Sequence, residues 1–174
     1  LVKTFIECSA CKYSFSHFRI IFNLTEKMGK YDLGLKLLNS LSTKIVEHKS
    51  VEIKFEIIER RLRFLIKMGL LDQAESEIKF LLKDDDNEKS DLANQKYKLH
   101  NNLFAIYLSK HDVFKADSIF KVLEFLFTEI TNKGYLDSIN LKNNKALLFS
   151  ILGQNDLAQK PLEEAIQIYY DNKD

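Results

Sequence analysis

The chain has 174 residues, with 26 Lys plus Arg against 25 Asp plus Glu, and its net charge of +1 excludes a global field that would draw it to nucleic acid or an anionic membrane. Hydrophobic residues make up 45% and charged residues 29%, the balance of a globular chain long enough to bury a core as one domain, 1–174. Five Gly and one Pro exclude a turn-rich sheet protein and favour long helices, and two cysteines exclude a secreted disulfide framework and favour a reducing, cytoplasmic setting.

Residues 1–28 carry a broad apolar stripe through Phe5, Ile6, Cys8, Phe15, Phe18, Ile21, Phe22 and Leu24, which predicts one long helix or two, the second capped near Ser14 or Ser16. Gly29-Lys30 breaks it. A helix over about 31–48 follows, with Leu35, Leu38, Leu41 and Ile45 on one face. Ser50 caps a third, about 51–68, whose stripe is Phe55, Ile58, Leu62 and Leu65, and Gly69 ends it as glycine does just past a helix C-terminus. The fourth, about 71–84, turns Ala74, Ile78, Leu81 and Leu82 inward. Asp84-Asp85-Asp86-Asn87 reads as a solvated turn rather than a metal site, because no calcium-loop spacing follows it.

The fifth helix is expected over about 90–109, before a turn at Lys110-His111-Asp112. The sixth, about 113–132, has Ile119, Leu123, Leu126, Phe127 and Ile130 on its apolar side, and the aromatics Phe120, Phe125 and Phe127 read as core. Asn132-Lys133-Gly134 closes it. The seventh runs about 136–152 and ends at Gly153. The eighth, about 155–170, faces Leu162, Ala165, Ile166 and Tyr169 to one side, and Pro161 favours a start at Asn155 or Asp156.

These helices repeat. Asn143-Asn144-Lys145-Ala146-Leu147 echoes Asn101-Asn102-Leu103-Phe104-Ala105, 42 residues upstream. Ala158 lies 42 residues after Ala116, Ala116 lies 42 after Ala74, and Gly34 stands 40 before Ala74. A fixed period of this size marks a stacked array of helical hairpins, about 1–49, 50–88, 89–134 and 135–174. A small residue four or five positions into the second helix of each hairpin lets its two helices approach closely.

The spacing Gly29–Tyr31–Gly34, Gly69–Leu71–Ala74, His111–Val113–Ala116 and Gly153–Asn155–Ala158 resembles the tetratricopeptide repeat. The period exceeds that family's usual length of about 34, and the Asn-Asn-Leu run at 101–103 is similar to the longer repeats of the kinesin light chain and of bacterial peptide-sensing regulators. Lys145, Asn155 and Thr25 depart from the pattern, where Leu, an aromatic and Tyr are usual. The resemblance implies an all-α, right-handed solenoid of four hairpins, with the first helix of each lining a concave face. It also implies the groove-facing residues, which are Arg19, Asn23 and Lys27, then Glu56, Glu59, Arg60, Arg63 and Lys67. In the later repeats they are Lys98, Asn101, Asn102 and Ser109, then Asn140, Asn143 and Asn144. Amides both donate to and accept from a peptide backbone, and Arg forks onto carboxylates, so this set suits a protein or peptide partner carrying acidic residues.

Other chemistry is poorly represented. Cys8 and Cys11 share a helical face and read as core, with no second pair to complete a zinc site and His17 the only nearby imidazole. His48, His100 and His111 are scattered. No glycine elbow with Ser, His and Asp occurs, and no phosphate-cradling loop, so neither catalytic residues nor a cofactor are expected. No apolar run of about 18 residues is present to span a membrane. The first residue is Leu1, and the chain opens in an apolar pattern, as a piece of a longer protein would. The expected function is a non-catalytic scaffold. The alternatives are the sensor domain of a signalling or transcription regulator, and a structural subunit of a large assembly.

Overall fold

The structure, a computed structural model, describes residues 15–45, 51–83 and 92–173. Among these residues the chain is all-α, with eight helices and no strand. They are α1 (Phe15–Lys27), α2 (Tyr31–Ile45), α3 (Val51–Lys67), α4 (Leu71–Lys83), α5 (Leu92–Ser109), α6 (Val113–Glu129), α7 (Tyr135–Ile151) and α8 (Asn155–Asp171). The chain divides into two compact units, Leu1–Glu77 and Ile78–Asp174. Cys8, Cys11, His48 and the Asp84–Asn87 turn lie outside the described residues.

One local device recurs four times. At the end of α1 the Gly29 N–H donates to the Glu26 carbonyl at 3.1 Å and the Lys30 N–H to the Thr25 carbonyl at 2.8 Å. This nested pair of main-chain bonds satisfies carbonyls that a helix end leaves without partners, and it needs one residue in the left-handed region. The same pair is made by Gly69 and Leu70, by His111 and Asp112, and by Gly153 and Gln154. The turning residues have φ of 65°, 76°, 58° and 74° in chain order. Glycine reaches that region without a steric penalty, whereas His111 holds it with a side chain attached.

Each closure leads straight into the next helix. The N–H groups of Gly34, Ala74, Ala116 and Ala158 donate to the carbonyls of Lys30, Leu70, Asp112 and Gln154 at 2.9–3.3 Å. Asp32, Asp72 and Asp156 stand in the first turns of α2, α4 and α8, where a carboxylate meets the positive end of the helix. In α6 the acid is the cap itself, since the Asp112 carboxylate accepts from the Lys115 N–H at 3.2 Å.

All four small residues are buried. The repeat pattern points to closeness within the hairpin, yet the nearest neighbours of Gly34 lie outside it. A Cβ placed there would lie 2.4 Å from Phe64 Cε2, on the first helix of the following hairpin. Gly34 is therefore where α2 meets α3. The Tyr31 ring lies tilted against the same ring, 6.1 Å between centroids and 46° between planes. The core of the first unit gathers Phe22, Leu37, Leu38, Ile57 and Phe64, with Phe18, Ile21, Tyr31 and Ile53 packed around it. In the second unit the Phe104 and Phe120 rings meet at 5.8 Å between α5 and α6, and Tyr97 meets Phe127 at the same separation.

The inward faces differ from the predicted stripes in several places. Leu37, Ile57 and Phe64 are buried alongside Leu38, Leu62 and Leu65, while Leu35, Phe55 and Ile58 are only half-buried. A helix with neighbours on two sides buries a wider arc than a single i, i+3, i+4 stripe describes. Phe125, predicted to be core with Phe120 and Phe127, is 64% exposed on the outer side of α6. In α8 the buried line is Ala158, Pro161 and Ala165 rather than Leu162, Ala165, Ile166 and Tyr169. The helix starts at Asn155, as the proline suggests, yet this places Pro161 beyond the first turn, with no N–H to give to the Leu157 carbonyl. No helix among the described residues is long and apolar enough to cross a membrane.

Candidate functional site

The residues expected to face a groove in the first unit lie on α1 and α3, and polar side chains tie those two helices together. Arg19 Nε donates to both Glu56 carboxylate oxygens at 2.9 Å. Glu56 Oε1 also receives Arg60 Nε at 3.2 Å, and Arg60 Nη1 reaches back to Asn23 Oδ1 at 2.9 Å. Arg60 lies over the Phe22 ring, 5.5 Å from its centroid, a cation–π contact that also covers the core. One turn further along, Arg63 sits 3.7 Å from Glu26 on α1 and 3.3 Å from Glu59 on its own helix.

Arg19, Asn23, Arg60 and Arg63, with Glu56 and Glu59, are thus brought together as a ladder between neighbouring helices. Three guanidiniums meet the three carboxylates of Glu26, Glu56 and Glu59, so the ladder is balanced in charge. Burial pushes the Glu56 pKa up, but the bonds from Arg19 and Arg60 outweigh it and hold the carboxyl below its ordinary value. The Glu56 bond in turn raises the Arg19 pKa. Lys27 and Lys67 stand exposed in the last turns of α1 and α3, where a cation complements the helix end. The ladder neutralises three of the basic residues expected on this unit, Arg19, Arg60 and Arg63.

In the second unit the matching helices are α5 and α7, joined by an amide pair. Asn144 Nδ2 donates to Asn101 Oδ1 at 2.6 Å, with both side chains half-buried. Asn102 and Lys98 are half-buried on α5, while Asn140 and Asn143 are exposed on α7. Ser109 spends its hydroxyl on the Ala105 carbonyl at 2.8 Å. The Asn101–Asn144 bond uses one acceptor and one donor. The Asn101 NH2 and the Asn144 oxygen take no part in it, and groups of these two kinds match the C=O and N–H of a peptide. Lys145, which departs from the family pattern, has a structural task, for its Nζ binds Glu124 Oε1 of α6 at 2.8 Å and fixes α7 against the preceding hairpin.

Of the histidines His48, His100 and His111, the last two are among the described residues. His100 is half-buried with Nδ1 at 2.8 Å from the Lys96 carbonyl, and burial lowers its pKa. The neutral ring with its proton on Nδ1 fits that bond. His111 occupies the turn between α5 and α6. No group of three His, Cys, Asp or Glu among the described residues is placed to hold a metal ion.

Sequence reasoning could reach part of the ladder. Glu56–Arg60 and Glu59–Arg63 are i, i+4 pairs, a spacing legible on any predicted helix. The cross-helix bonds from Arg19 to Glu56 and from Arg60 to Asn23 span 37 residues and have no local signal. Glu26 and Glu124 are absent from the predicted set for the same reason. Set against known protein families, curated proteins and solved structures, the chain matches none of them.

Proposed function

We propose that the chain is a non-catalytic binding module of tetratricopeptide type, holding an extended segment of a partner protein against the α5–α7 face. The observation that supports this reading is the Asn144–Asn101 bond, which ties two half-buried side-chain amides together without using the Asn101 NH2 or the Asn144 oxygen. Backbone groups on every peptide can answer such a pair, so recognition there is of the main chain, with side-chain selection supplied by Lys98, Asn102, Asn140 and Asn143 around it. The arginines of the first unit are engaged with carboxylates of their own chain, so the reading does not require acidic residues in the ligand.

The test is selection of binders from a random-peptide display library on the full chain, followed by titration of the best peptide against variants. Asn101→Ala and Asn144→Ala should each weaken it about tenfold, the loss of one to two hydrogen bonds. N-methylation of a single peptide amide should have a comparable effect. Peptides that bind parent and both Asn variants equally, or a library that yields no binder, would overturn the proposal.

A further inference from the structure

We draw no further inference here: the strongest candidate, the cluster of guanidiniums of Arg19, Arg60 and Arg63 between α1 and α3, is met by the carboxylates of Glu26, Glu56 and Glu59 of its own chain and belongs to the site already described.

Discussion

Gly34→Ala is the sharpest probe of the packing described above, because two effects of opposite sign meet in one methyl group. In favour of alanine is its helix propensity, about 1 kcal/mol better than glycine in a helix interior. Against it is contact, for the new Cβ would lie 2.4, 2.8 and 3.0 Å from three atoms of the Phe64 ring. That ring is buried, with Tyr31 packed at a tilt beside it, so moving it shifts the packed core between α2 and α3. Overpacking of this kind costs about 1–3 kcal/mol. The expected net is a destabilisation of about 1 kcal/mol, read as a lowered denaturant midpoint at unchanged slope. The double variant with Phe64→Leu separates the two effects. Phe64→Leu alone leaves a void, and the alanine methyl should help fill it, so the pair should be clearly less destabilised than the sum of the singles. A Gly34→Ala variant more stable than the parent, or singles that simply add, would refute the claim that Gly34 is small because of Phe64.

Four further outcomes are expected. Glu56 has a folded-state pKa below its unfolded value, so its contribution is present above the ordinary carboxylate range and is lost as pH falls through the folded value; Glu56→Gln should flatten the acid limb of a stability-against-pH curve for the first unit. Tyr97 is 3% exposed and its hydroxyl has no hydrogen-bond partner among the described residues, so Tyr97→Phe should stabilise the chain by about 1 kcal/mol in denaturant titration. Burial, with a smaller contribution from Asp137, pushes the Tyr97 pKa up to about 12 from an ordinary 10.0; that stability is fully present below the unfolded value and is lost as pH rises through the folded one, an alkaline limb that the same variant should weaken. Asn101→Ala and Asn144→Ala should show a coupling of about 0.5–1.5 kcal/mol in a double-mutant cycle of unfolding, reporting the bond between α5 and α7.

The all-α architecture and several helix ends were legible because they depend on short-range rules. Gly29, Gly69 and Gly153 mark helix ends, since a left-handed residue is needed there and glycine supplies it at least cost. His111 gives no such local signal and is recognised only by its place in the period. The partners across helices were not legible. Arg19 and Arg60 read as a basic surface, because a guanidinium 37 residues from its carboxylate or amide partner looks the same as one facing solvent. Charge reversal at Arg60, an obvious probe of a basic groove, would therefore break the ladder before it reported on any ligand. The stripe of Leu162, Ile166 and Tyr169 was misplaced for a related reason. Helical spacing says that apolar residues share a face, and it carries no information on whether a neighbouring element covers that face. Of the predicted site, the neighbourhood of Asn101 and Asn144 is brought together by the fold, while Lys67, Asn140 and Asn143 stand exposed.

The four chain reversals are drawn with amide hydrogens and carbonyl oxygens, which nearly every amino acid possesses. The geometry of a bend is thereby uncoupled from the identity of most residues that pass through it. What each reversal does demand is a single residue willing to sit at positive φ, and His111 shows that even this demand can be met without glycine. Outward-facing chemistry on such a frame is at liberty to diverge from one hairpin to the next, as the exchange of a guanidinium ladder for an amide pair within this one polypeptide illustrates.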